Sequence, residues 1–168
     1  HSSTPNPAQN AIYKLARALD AIAAYSFPVS QSEITRASMK ALGDHSEGKL
    51  ADAMRAFAAN PEDARAAAMI SADPEYVGQV RTTCVATMLD GGHALNAWPQ
   101  RATANINCRI FPGVDVASVQ ATLERIIANP EVKISAHPPP PLERPASPLR
   151  QDVTGAVSAA IQARSPDL

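Results

Sequence analysis

At 168 residues the chain is sized for one domain, or for one domain plus a fragment of another. With 45% apolar, 18% charged and only 4% aromatic residues, it is globular, and its core must be built mainly from Ala, Val, Ile and Leu. A net charge of -1 without a basic patch argues against nucleic-acid binding, and no apolar run is long enough for a membrane span.

The chain begins at His1 rather than at a Met, which reads as a processed or cut chain. No signal peptide is present, and cytoplasmic and exported locations both stay open. A first helix is expected from about Pro7 to Tyr25, with Asn6 as N-cap, Pro7 at the first helical position and Gln9 completing a capping box. Ile12, Leu15, Leu19 and Ile22 mark its apolar stripe. Residues 29–80 change character. They are Ala-rich and read as an inserted helical segment, with helix starts near Ser30, after the Gly43-Asp44-His45 break and after Asn60-Pro61. Alanine offers little apolar area, so this segment is expected to bury little per residue and to be the more mobile part.

Strand character begins at Arg81 and runs to Leu89. Asp90-Gly91-Gly92 then turns into a loop over 93–100, and a second strand follows over 101–111. In that strand Ala102, Ala104, Ile106, Cys108 and Ile110 share one face, while Thr103, Asn105, Asn107 and Arg109 share the other. Asp115 is the expected N-cap of a helix with Val116, Val119, Leu123, Ile126 and Ile127 on its apolar stripe. Residues 131–137, EVKISAH, read as a short third strand. Residues 138–148 form a Pro-rich linker, and a last, weakly amphipathic helix is expected over 149–163.

Element order therefore predicts an α+β fold: a ferredoxin-like split βαβ sandwich, an antiparallel sheet with two helices on one face. Its first strand is expected to be absent, and the Ala-rich helical segment is inserted after the first helix. Cys84 and Cys108 read as a buried free pair, with a disulfide as the alternative because neighbouring strands could bring them together.

The chemistry-bearing residues each have two readings. His1 is a frayed terminus or a site residue. Asn96, ahead of Ala97-Trp98-Pro99, is a turn former or a ligand contact. Arg109 is a surface cation anchored by Asp90 or Asp115, or a ligand contact. Trp98, the single tryptophan, is a core plug or an interface contact. Cys108 beside Arg109 could be a thiolate nucleophile, although its place among apolar neighbours favours packing. His1, His45, His93 and His137 fall in no HExxH or comparable ligand pattern, so no metal site is expected within the chain.

HSSTPNPAQNAIYKLARAL, RTTCVATMLDGG, NAWPQRATANINCRIFPG and VASVQATLERI together resemble the lid, or dimerisation, domain of the dinuclear-zinc peptidase family M20, in its carboxypeptidase S-like and aminoacylase-like branch. The likeness covers about residues 1–137, and residues 149–168 resemble the return into that family's catalytic domain. It implies a homodimer formed through this domain. It also implies a parent hydrolase in which two Zn2+ in a separate domain activate water against a peptide or N-acyl amino acid amide bond.

His1-Ser2-Ser3 resembles the end of the family's Gly-Gly-His-Ser-Ser pattern, which implies that His1 stabilises an oxyanion in the partner subunit. Asn96 and Arg109 match positions implied to bind substrate, the arginine gripping a free carboxylate. Asn107 stands where many relatives carry an acidic residue, so any ion-pair role there is lost. The zinc ligands and the general-base glutamate are absent, so the resemblance implies that this chain alone holds no cofactor and hydrolyses nothing. A stand-alone ferredoxin-like interaction or regulatory module is the alternative.

Overall fold

The computed structural model describes residues 3–137 and 145–165. Its elements are α1 (Ala11–Ala24), α2 (Glu33–Asp44), α3 (Lys49–Ala59), α4 (Ala64–Ser71), β1 (Thr83–Gly91), β2 (Ala102–Arg109), α5 (Val116–Ile127) and α6 (Gln151–Arg164). The chain divides into two compact units. One combines the residues up to 30 with 73–145, and the other combines 31–72 with 146 onward.

In the first unit, α1 starts four residues later than the sequence suggests. Both Asn6 and Asn10 can cap a helix, and Asn10 does so, its side chain accepting from the Ile12 and Tyr13 amides. Residues 7–9 form a turn instead. The Ala11 amide, one of the donors that a helix start leaves unpaired, is satisfied by the Pro99 carbonyl at 3.1 Å. That long-range bond fixes the helix start and ties it to the loop before β2.

β1 and β2 form an antiparallel two-stranded sheet. The expected alternation along β2 holds: Ala102, Ala104, Ile106 and Cys108 are half-buried, and Thr103, Asn105, Asn107 and Arg109 are exposed. Thr87 is an extra residue in β1, a bulge between the pairs Ala86–Ile106 and Met88–Asn105. Cys84, Ala86 and Leu89 therefore lie opposite Cys108, Ile106 and Ala104 on the inner face. Thr83, Val85, Met88 and Asp90 lie opposite Arg109, Asn107, Asn105 and Thr103 on the outer face. Asn105 Nδ2 donates to Thr87 Oγ1 at 2.7 Å across the bulge.

The inner face meets α1 and α5. Ile22, Phe27, Val119 and Leu123 form the buried cluster, with Cys84, Ile106, Cys108, Ile110 and Ile134 packed against it. Asp115 caps α5 as expected, accepting from the Ala117 and Ser118 amides. The fold class is α+β, with a small antiparallel sheet and several helices.

Two expectations are corrected here. Cys84 and Cys108 are not a free pair: they are direct cross-strand partners, with Cα atoms 4.1 Å apart, and form a disulfide. With its sulfur bonded, Cys108 offers no thiolate, which removes the nucleophile reading. Residues 131–137 form no strand, because no described strand lies alongside to share a ladder with them. Ile134 still packs against the core, so the segment keeps its apolar contact without sheet pairing.

The second unit has a core of its own, which the composition argument undervalued. Met39, Phe57 and Ile70, from α2, α3 and α4, are completely buried, with Ala51, Ala53, Ala66 and Ala67 around them. The small alanines let the helix backbones approach while three large side chains supply the area. Ser32 and Thr35 form a reciprocal capping box at the start of α2, and Asp63 caps α4. At the end of α2, the Gly43 carbonyl accepts from Arg55 of α3.

Gly43 is also a point of close approach. A Cβ there would lie 2.8 Å from Arg55 Cγ and 2.9 Å from the Ala51 carbonyl oxygen. Gly43→Ala is therefore expected to destabilise this unit by about 1–3 kcal/mol despite alanine's better helix propensity, read as a lower melting temperature of the helical signal. α6 starts two residues later than expected and is exposed throughout. The Leu149 amide ahead of it donates to Glu33 Oε2 at 3.3 Å. Pro138–Pro141, the heart of the expected linker, lies outside the described residues.

Candidate functional site

The loop over 92–101 leaves β1 through two glycines with different duties. Gly91 allows close approach: a Cβ would sit 3.1 Å from Ala102 Cβ and 3.2 Å from Ile12 Cγ1 of α1. Gly92 has φ +91°, a conformation that side-chain-bearing residues rarely adopt. Pro99 is buried and its carbonyl receives the Ala11 amide, so the loop is fastened to the start of α1. Between these anchors the loop walls a cleft of about 650 Å³ with Asp90, His93, Trp98, Arg101, Gln9 and Gln100 among its lining residues.

Asn96 is exposed on this loop, beside Leu95, which is fully exposed. Arg109 is exposed on the outer face, paired across the sheet with Thr83. The alternative anchors proposed for it are settled in part by register. Asp90 pairs with Thr103 at the opposite end of the sheet, and Arg109 makes no ion pair among the described residues.

The strand pairing sets Arg109 at the end of the ribbon away from the loop that carries Asn96. Seven residues of β2 separate Ala102, where the loop ends, from Arg109, which at strand rise is about 23 Å. His1 lies outside the described residues. Trp98 is half-buried in the cleft wall, neither a core plug nor fully exposed. Asp90, His93 and Arg101 were not singled out as a group by sequence reasoning. The signal was available, since strand period places Asp90 at the end of β1 on the same face as Thr103, two residues from Arg101.

Among the described residues, no group of three or more His, Cys, Asp or Glu could hold a metal ion. Among the same residues, no helix is long and apolar enough to cross a membrane.

The outer edge of β1 is the other notable surface. β1 pairs only with β2 among the described residues, so its far edge has no partner strand. Val85, Met88 and Leu89 on this strand are 57%, 71% and 69% exposed. Neither lysine nor proline, the usual guards of an open strand edge, occurs in Thr83–Gly91.

Comparison of the sequence with known families matches the M20-type peptidase dimerisation domain over residues 1–135. Searches of curated proteins and of solved structures return no match. The match takes in the α1–sheet–α5 body and the loop that carries Asn96, together with the inserted helices. The chain thus belongs to the M20 peptidase dimerisation-domain family.

Proposed function

We propose that this chain is the dimerisation and lid portion of a zinc-dependent amidohydrolase or carboxypeptidase that cleaves peptide or N-acyl amino acid amide bonds. In this reading residues 1–137 are the lid, with a ferredoxin-like body and the helical insertion, 138–148 the linker, and 149–168 the start of the return to a catalytic domain. What supports the reading is the match of residues 1–135 to the dimerisation-domain family, together with a ribbon whose one end carries the Asn96 loop and whose other end carries Arg109.

β2 carries the chain about 23 Å from the end of the Asn96 loop to Arg109, farther than one small substrate spans. If both residues touch substrate, they do so in two different sites, each built from two subunits. The Asn96 loop of one subunit enters the partner's site, where its amide donates to the substrate. Arg109 serves the site of its own subunit, where its guanidinium grips a carboxylate in bidentate fashion. His1, outside the described residues, takes the role the family likeness implies, its imidazole donating to the developing oxyanion in the partner subunit. Leu95, apolar and fully exposed beside Asn96, suits a loop tip that is covered when it meets another subunit.

Two Zn2+ are the cofactors that the family likeness implies. The described residues of this chain do not supply a ligand set for them, so no step on the metals is assigned to its side chains.

Homodimerisation is assigned to the open edge of β1. Two copies of β1 paired antiparallel about a two-fold axis would satisfy both edges and set Val85 and Met88 beside cross-strand neighbours from the second copy. The expected result is a dimer at micromolar concentration in sedimentation velocity. Val85→Lys combined with Met88→Lys places four charges at the shared edge and is expected to give monomers with unchanged far-ultraviolet dichroism. A wild-type monomer at that concentration contradicts the assignment. The hydrolase reading itself is tested by screening the intact protein against short peptides and N-acyl amino acids, with and without a chelator.

A further inference from the structure

The cleft at the sheet's loop end carries charges that do not neutralise one another. Asp90, on the outer face at the end of β1, and Arg101, just ahead of β2, line the same cleft, yet they form no ion pair. His93 adds an imidazole to the wall, and Gln9 and Gln100 add amide groups. Trp98, half-buried, supplies an aromatic surface beside the buried Pro99. These residues line an opening of about 650 Å³, which is large enough for a small organic molecule.

From this arrangement we infer that the cleft is a binding site for a free α-amino acid with a large apolar side chain. Arg101, helped by His93, takes the α-carboxylate. Asp90 takes the α-ammonium group. Trp98 provides the surface on which the side chain lies. A cation and an anion on one partly apolar wall select a zwitterion over a simple anion or cation. Gly92, at φ +91°, is also part of the cleft lining. Binding involves no bond breaking and stands apart from the hydrolase reading: every group it needs lies in this chain.

Trp98 is the only tryptophan, so its fluorescence reports occupancy directly. The probe is L-phenylalanine, titrated against this chain, with N-acetyl-L-phenylalanine lacking the ammonium group and phenethylamine lacking the carboxylate. L-Phenylalanine is expected to give a saturable change with a Kd of about 1 mM or tighter. The two truncated analogues and the Arg101→Gln and Asp90→Asn variants are each expected to bind about tenfold more weakly or worse. Both substitutions are at exposed positions and nearly isosteric for Asp90, and dichroism establishes that the variants fold. No saturable change with L-phenylalanine overturns the inference. So does binding of N-acetyl-L-phenylalanine as tight as that of L-phenylalanine, or undiminished binding to a folded Arg101→Gln variant. Because the readout is occupancy rather than turnover, this result is independent of whether the intact protein hydrolyses amides.

Discussion

Breaking the Cys84–Cys108 bond is expected to lower the stability of the sheet-containing unit by about 3 kcal/mol. The bond closes a loop of 24 residues of sequence separation, which includes the 92–101 loop and most of both strands. Without it the unfolded chain regains the freedom to separate β1 from β2. The native ribbon has little else to resist this, because a two-stranded sheet is marginal by itself and depends on the helices that cover it. Total stabilities of domains run to about 5–15 kcal/mol, so the loss is a large fraction.

Trp98 lies in the loop that the bond closes, so its fluorescence follows this unit. At a typical dependence of about 2 kcal/mol per molar urea, the Cys84→Ala/Cys108→Ala variant should unfold at a midpoint lower by about 1.5 M. Dithiothreitol should move the wild type in the same direction and leave the variant unaffected. Alkylation of the unreduced, unfolded protein should add no mass, and alkylation after reduction should add two adducts. Two adducts without reduction would mean the thiols are free and the staple is not made.

The second large effect concerns Asn96 and Arg109 in the intact protein. Asn96→Ala removes an amide donor, and Arg109→Ala removes a charged bidentate grip on a carboxylate. Each is expected to lower kcat/KM by about a hundredfold, roughly 3 kcal/mol of transition-state stabilisation. The kinetic signatures should differ. Loss of the arginine should raise KM for substrates with a free carboxylate and leave carboxylate-blocked analogues nearly unaffected. Loss of the asparagine should fall mainly on kcat if its amide faces the reacting oxygen. Both residues are exposed, and circular dichroism of each variant establishes that it folds before its kinetics are compared.

How much of this was legible beforehand follows from which interactions are local. The cap at Asp115 and the two-residue alternation through Ala102–Arg109 are properties of short segments, and both emerge as the sequence suggests. The start of α1 was misplaced because Asn6 and Asn10 offer the same capping chemistry. The choice depends on the Pro99 carbonyl, nearly ninety residues away. Residues 131–137 have strand composition, but a strand exists only with a neighbour, and composition does not reveal whether one is there.

The cysteines illustrate the same limit. Alternation correctly placed Cys108 inward, and an inward cysteine serves equally well as a small apolar residue or as half of a bond. Cross-strand register decides between them, and register here includes a bulge at Thr87 that nothing in TCVATML announces. For the candidate site, residue types were legible and their relative placement was not. Asn96 and Arg109 are thirteen residues apart in sequence. The extended strand that follows the Asn96 loop puts Arg109 at the far end of the ribbon.

That separation gives the account its most direct test, a subunit-mixing experiment on the intact protein. Asn96→Ala and Arg109→Ala subunits, each nearly inactive alone, are unfolded together and refolded as a mixture. In a mixed dimer the site built from the Asn96→Ala subunit's own arginine and its partner's asparagine is whole, and the other site carries both lesions. Random pairing makes about half the dimers mixed, each with one of two sites intact, so the mixture should recover about one quarter of wild-type activity. Activity that stays at the level of the separate variants, with mixed dimers shown to be present, would contradict a site shared between two copies of this domain.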